Sequence, residues 1–548
     1  MSSETLGELR IASEILQVAL DRYLNACLAV KHSVTSTSSS SVHHRDTTGP
    51  ALNNEKVRVD IHEAKLHGSK LAILYATNKS PDVVPVSILP DEILVLVFQH
   101  LVDAIHGPAN VDNAEIPAYP LLLSQVCTDW RQLIHRSPSL WSYFRINRGI
   151  GRSGFPSYSK LHTNQTKETP MDVSISDTLS LPEFTTPSML SLVKPFTGRI
   201  RSLRFRVVAF NGSEDQQDRL TRLLAGCLQA THGKLKRLIL STFYLYRGPS
   251  GNQHWFIESA ANPSHNSSLG LPLSHAYLED TLLAVSDLWL DGLYFDWASK
   301  IYHGLTSLRL DKNSTCSITE SLLASILVAS PQLRWLDVRL NITHTATSPT
   351  LINLPHLEVL ISTEDMALLR LVQPGSKELT LSIISRTRPS VVQFEQESTH
   401  NMGYNSRFTS FLSRANVVSF YAEGFLRDLG EVWDLLSMAP KIRTLALSYF
   451  VHHMPFDRRT VSNWSLDELS ILKGCRLELS MVQYIVENCG VETLVLSDKS
   501  ITDSNEKVIQ DKLLLVKELS NSGNTHLRFV PPDHTSLLSK FVGPVVRS

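Results

Sequence analysis

The chain has 548 residues, 42% of them hydrophobic and 19% charged, with 52 basic and 53 acidic residues for a net charge of −1. This is a globular composition, long enough for several domains or for one domain plus a repeat array, and it excludes nucleic-acid binding driven by bulk charge. The 6 cysteines form no C-x-x-C pair, which excludes a disulfide scaffold and a zinc ribbon, and no apolar run is long enough to span a bilayer.

Residues 1–32 read as an N-terminal helix. Leu6, Leu9, Leu16, Ala19 and Leu20 approximate one face, as a marginal helix folded back on the chain or as a self-association helix. Glu4, Glu8 and Glu14 argue against a targeting leader, so a cytoplasmic or nuclear protein is expected. Residues 33–54 are Ser/Thr-rich and almost free of large apolar side chains, the composition of a disordered linker. His43 and His44 inside it are read as incidental. A second helix over 55–80 carries Val57, Ile61, Ala64, Leu71 and Leu74, too few positions to make a coiled coil convincing. Pro81 and Pro85 end it.

The stretch 87–146 is denser in apolar residues. Pro90 stands where a helix would start, with its φ already set, and Asp91 and Glu92 follow at the positive end of the helix dipole. Ile93, Leu94, Val97, Phe98 and Leu101 share a stripe, while Val95, Leu96 and Val102 occupy the other sides. A short helix that is apolar almost all round must be covered on more than one face. A second helix is expected over about 121–134, with Leu122, Val126, Trp130 and Leu133 at helical spacing, and Leu140 and Trp141 follow Pro138. So small a unit is marginal alone. It is either a cap docked on the rest of the chain or a surface completed by another protein.

The succession Leu89-Pro90-x-Glu92-Ile93-Leu94, Val97-Phe98, Leu101, Val126-Cys127-x-x-Trp130-x-x-Leu133-Ile134 and Pro138-x-Leu140-Trp141 resembles an F-box. The resemblance implies a three-helix module that docks on the Skp-type adaptor of a cullin-RING ubiquitin ligase. It would do so through Leu89, Pro90, Ile93, Leu94, Val97, Phe98, Leu101, Val126, Cys127, Trp130, Leu133, Leu140 and Trp141. The connection from Asp103 to Pro120 is longer than usual for that family and reads as an inserted loop.

Residues 147–182 are rich in Gly, Ser and Pro and read as a connector or as an irregular first layer of the next domain, in which Asp172 to Ser176 alternate as a strand would. From there to 548 a pattern recurs: apolar, two residues, apolar, one residue, apolar. It runs through Ile200/Leu203/Phe205, Leu235/Leu238/Leu240, Val285/Leu288/Leu290, Leu305/Leu308/Leu310 and Leu333/Leu336/Val338. It resumes at Ile442/Leu445/Leu447, Leu466/Leu469/Ile471 and Val491/Leu494/Leu496, with partial copies at Leu357/Leu360 and Val417/Phe420. The period matches a leucine-rich repeat. Pro331, Pro355 and Pro440 stand two residues before a first apolar position, and Leu323/Ile326/Leu327, Val432/Leu435/Leu436 and Met481/Tyr484/Ile485 share one offset from their strands. Each unit is therefore a helix, a sharp stop and a short strand, and such units must stack to bury their apolar faces. Asn313 and Asn341 fall where that repeat often places asparagine, and 245–275 and 385–410 read as inter-repeat loops. The expected fold is α/β: a three-helix F-box, then an irregular solenoid of parallel strands and helices, behind a helical N-terminal extension.

No catalytic set stands out. Gly233-Lys234 resembles a phosphate loop only superficially, because Leu235 replaces the hydroxyl residue. His452-His453 are adjacent and share no helix face, and there is no G-x-S-x-G elbow. Neighbours of the inward leucines face the other way in a strand, which gathers Arg204, Arg206, Trp289, Arg309, Trp335, Asp337 and Arg339 on one surface. Arg309, Trp335, Asp337 and Arg339 form the central group expected to contact a target protein. The sequence thus suggests a substrate-recruiting ubiquitin-ligase subunit with no bond chemistry, cofactor, metal, nucleic-acid or membrane partner of its own. A repeat scaffold outside ubiquitin transfer is the alternative.

Overall fold

A computed structural model describes residues 3–36, 48–80, 85–106, 119–146, 155–176, 186–208, 214–229, 231, 233–243, 255–261, 265, 268–311, 316–344, 350–385, 406–426, 428–450, 464–497, 500–503, 507–520, 525–530 and 541. Half of the expected linker, most of the insert after Asp103, most of the stretch 385–410, Asn313 and the pairs His43-His44 and His452-His453 lie outside these residues. Among the described residues no helix is long and apolar enough to cross a membrane.

The chain divides into two compact units, Met1–Asp91 and Glu92–Ser548. The first holds the helices Ser3–Ser36 and Thr48–Lys79 and a 3₁₀ turn at Pro85–Ile88. The two long helices touch through Tyr23, whose hydroxyl donates to Glu55 at 2.8 Å. Both run further than expected, so the described ends of the 33–54 stretch are helical. Thr35 and Ser36 bond back to the carbonyls of Lys31 and His32 at 3.0 and 2.8 Å, which lets Ser/Thr residues continue a helix that their composition argues against.

The second unit is mixed α/β and solenoid-like. Its spine is a 14-stranded sheet in which every strand pairs in parallel with the preceding one in the ladder, from Tyr143–Ile146 to His526–Val530. Strand order follows chain order, so the connections cross back over one face, and most of them lay a described helix or short strand there. The register aligns the apolar pattern. Leu203, Leu238, Leu288, Leu308, Leu336, Leu360, Leu381, Phe420, Leu445, Leu469 and Leu494 stand in one row. All are buried in a single core under the sheet.

Local chemistry sets the turns. Thr319 and Asp428 cap the helices Glu320–Val328 and Leu429–Met438, accepting from the amides of Leu322 at 3.3 Å and Glu431 at 2.9 Å. Gly490, at φ +51°, ends the helix Leu479–Cys489 in the left-handed region. Pro331, Pro355 and Pro440 each take the second position of a tight turn. In those turns the amides of Leu333, Leu357 and Ile442 donate to Ser330, Leu354 and Ala439 at 3.2, 3.2 and 3.1 Å.

Several expectations need correction. The strand expected at 172–176 is present as Met171–Ser176, but the stretch 147–182 also contains the helix Phe155–Thr166, and the sheet begins at Tyr143 rather than after 182. Phe144 and Ile146 are core residues, so the strand belongs to the sheet. The stretch 245–275 is not a plain loop. Trp255–Ser259 is the central strand of a three-stranded sheet, pairing with Ser268–Leu271 on one side and Leu293–Phe295 on the other, and its Trp255, Phe256 and Ile257 are buried. The strand Leu379–Ile384 was not anticipated. The helix expected over 121–134 is broken into Tyr119–Leu123 and Thr128–Arg136. Cys127 interrupts it with extended backbone, and its Sγ accepts from the Trp130 amide at 3.5 Å as an N-cap.

Candidate functional site

The helix Asp91–His106 has two apolar faces with different fates. Leu94, Phe98 and Val102 are buried with Ile134, Leu140 and Trp141 in a core of their own, separate from that under the sheet. Phe98 meets Trp130 edge-on, ring centroids 4.6 Å apart, and the Trp141 indole donates to the Ile134 carbonyl at 3.0 Å. On the other side Ile93, Leu96, Val97 and Leu101 are 40–64% exposed. Their spacing is that of one helical stripe. Leu122 and Val126, from the broken second helix, are exposed as well.

The residues expected to meet an adaptor are therefore not equivalent. Ile93, Val97, Leu101 and Val126 lie open; Cys127, Trp130 and Leu133 are half-buried. Leu94, Phe98, Leu140 and Trp141 are internal and hold the helices together. Leu89 and Pro90, in the first unit, are exposed. Leu96 and Leu122, read in the sequence only as apolar positions, are exposed on the same helices.

The helical core does not stand alone. His162, on Phe155–Thr166, is buried between Trp141 and Phe144, ring centroids 5.3 and 5.4 Å away. Its Nδ1 lies 3.0 Å from the Trp141 carbonyl. A carbonyl only accepts, so Nδ1 carries the proton. Burial lowers the His162 pKa to about 4, against the smaller opposing effect of that hydrogen bond, and the ring is neutral at pH 7.

The face of the sheet opposite the core carries the second candidate. Trp289, Arg309 and Asp337 are register neighbours on successive strands, and Trp335 starts the strand that holds Asp337. Arg339 forks onto Asp337 with both bonds at 2.9 Å. Arg309 lies 2.7 Å from Asp311 and 3.3 Å from Asp337, and its guanidinium sits 4.0 Å from the Trp289 ring centroid. Burial opposes the charge on Arg339, but Asp311 and Asp337 outweigh it and raise its pKa. Burial, then the Asp311 carboxylate, pushes the Asp291 carboxyl well above the usual range. The structure thus joins Arg309, Asp337 and Arg339 into one buried ion network, with Trp335 half-buried on the strand of Asp337. Asp291 and Asp311, its further acids, were missed because they end strands read only for their leucines.

Along the same face, Ile361, Ile384, Tyr421, Ala446 and Leu472 form an apolar patch bordered by Trp335 and Val359. Phe541 is seated on it. Its ring stacks on Tyr421 with centroids 5.7 Å apart and planes 24° from parallel, and its carbonyl accepts from Ser382 at 2.6 Å.

Glu258, His265 and Asp296 make a third cluster, their ligating atoms all within 4.8 Å of one another. The two ring nitrogens of His265 serve different carboxylates. Nδ1 hydrogen-bonds Glu258, and Nε2 lies 3.9 Å from Asp296. This is a carboxylate–imidazole–carboxylate bridge, and one ion could not take both nitrogens.

A scan against protein-family models gives no match to the sequence, and a search of curated proteins gives none either.

Proposed function

We propose that this chain is a substrate-recruiting F-box subunit of a cullin-RING (SCF-type) ubiquitin ligase. The helical unit would dock on a Skp-type adaptor, and the sheet face of a leucine-rich-repeat solenoid would bind the target protein. The protein itself does no bond chemistry. Its mechanism is proximity, raising the effective concentration of a target lysine beside a ubiquitin-carrying partner.

The observation that carries this reading is the second apolar face of Asp91–His106. Phe98 and its neighbours already give that helix a core, yet Ile93, Leu96, Val97 and Leu101 stay open to solvent. A contiguous exposed apolar patch marks an interaction surface, and it coincides with the motif on which the F-box resemblance rests. The test is co-purification of the full chain with a Skp-type adaptor, repeated with Ile93→Asp plus Val97→Asp. Capture by the wild type and loss in the variant, with unchanged thermal unfolding, supports the reading. No adaptor binding by the wild type overturns it. A repeat scaffold outside ubiquitin transfer is the second reading. It is favoured by the packing of Trp141 and His162 against Phe144, which makes the helical unit a cap on the first strand.

A further inference from the structure

We infer that the patch around Tyr421 is a binding pocket for a phenylalanine side chain presented on helical backbone, as Phe541 presents it, and that Phe541 fills it in cis until a partner segment displaces it. The inference deepens the target-binding role given above to the sheet face.

The patch differs from the rest of that face. Most positions opposite the core are polar; in the row of Ile361, Ser382, Tyr421, Ala446 and Ser470 three apolar side chains interleave with two serines, and Ile384 and Leu472 join those three in one apolar cluster. A solvated face has no use for such a cluster; a pocket does. Its rim is charged. Tyr421 donates to Glu423 at 3.2 Å, and Glu423 acts electrostatically on Arg339 of the ion network. An apolar centre with a hydrogen-bonded carboxylate at its edge and a tryptophan on its border is the anatomy of a binding hot spot.

Phe541 shows what the pocket accepts. Its ring is almost fully buried and lies against Tyr421 in a stacked geometry. The bond from Ser382 goes to the main-chain carbonyl, so it would hold any residue, while the pocket selects the aromatic side chain. Ser382 and Phe541 are 159 residues apart in sequence, so this is a long-range contact. A tethered occupant competes at an effective concentration on the order of millimolar, so a free segment of the same sequence binds poorly until the tether loses its anchor.

The test uses the full chain and a fluorescein-labelled synthetic peptide of residues 531–548. Fluorescence anisotropy is expected to show Phe541→Ala binding the peptide at least tenfold more tightly than wild type. A peptide with alanine in place of phenylalanine should not bind either protein. Phe541→Leu, which keeps part of the packing, should fall between and gives the reading if the alanine variant does not fold. Equal binding by wild type and a folded variant, no binding to a folded variant, or binding that ignores the peptide's phenylalanine would each overturn the inference. No adaptor enters the assay. A failed adaptor pull-down with successful peptide exchange removes the ubiquitin-ligase reading alone, and the reverse removes the pocket alone.

Discussion

Asp337 shows how little a charged residue reveals about its surroundings until its neighbours are known. In sequence it is one acid between two inward apolar positions; in the fold it is fully buried and answers two guanidiniums at once. Removing one partner of such a network leaves buried charge uncompensated, which costs about 3–5 kcal/mol. Asp337→Ala should therefore lower stability by about that amount in chemical denaturation, whereas Asp337→Asn, which keeps an acceptor, should cost less. Equal costs for the two would mean that the charge itself, not the shape or the hydrogen-bond acceptor, is what the site needs. His162 makes a pH prediction. Its pKa falls from 6.5 to about 4 in the folded chain because burial penalises the cation. The unfolded chain then binds the proton first, so stability falls as pH falls from about 6.5 towards 4, by up to about 3 kcal/mol. A His162→Gln chain should show a shallower loss of urea stability between pH 7 and 4.5 than wild type. Parallel curves for the two proteins would contradict the assignment.

At the scale of elements, the helix Asp91–His106 separates two kinds of apolar residue that composition treats alike. Phe98 is internal, and its truncation to alanine should cost about 3–5 kcal/mol. Leu96→Ser, on the open face, should shift the melting temperature by no more than about 2–4 °C while weakening adaptor capture. A large stability loss from Leu96→Ser would mean that this face is covered within the chain. Sequence periodicity told that the helix was apolar on several sides, but not which side the chain covers, because that depends on the contacts of Trp130, Ile134 and Trp141. The strand ladder was legible for a related reason. Leucines at fixed spacing record inward positions directly, so Leu308, Leu336, Leu445 and Leu469 could be aligned without coordinates. What sequence hid was set by long-range contact. The helix Phe155–Thr166 lies in a Gly/Ser/Pro-rich stretch and packs through Leu161 and His162 against distant residues. The strand Leu379–Ile384 lacks the preceding helix that marked other units, following instead the short strand Val372–Pro374. The acids Asp291 and Asp311 gain meaning only beside Arg309 and Arg339, on neighbouring strands.

At the scale of the whole molecule, a parallel ladder in chain order has only nearest-neighbour contacts along its length, so its two ends set where it opens. The ends here are unequal. The first strand, Tyr143–Ile146, buries Phe144, Arg145 and Ile146, and Phe144 packs against Phe196 with ring centroids 4.7 Å apart and against His162 above it. The last strand, His526–Val530, pairs on one side with Thr493–Ser497, and of its five residues only Val530 is buried. Far less apolar surface is withdrawn from water at that end, so its hydrogen bonds open at lower free energy. Hydrogen-exchange mass spectrometry should find the amides of 526–530 exchanging at least tenfold faster than those of 143–146, and the central strand Ser307–Asp311 slowest. With the gradient, truncation before 525 should leave the core of the ladder protected. Uniform protection along all strands would show instead that the ladder unfolds as one cooperative block, its ends coupled to its centre.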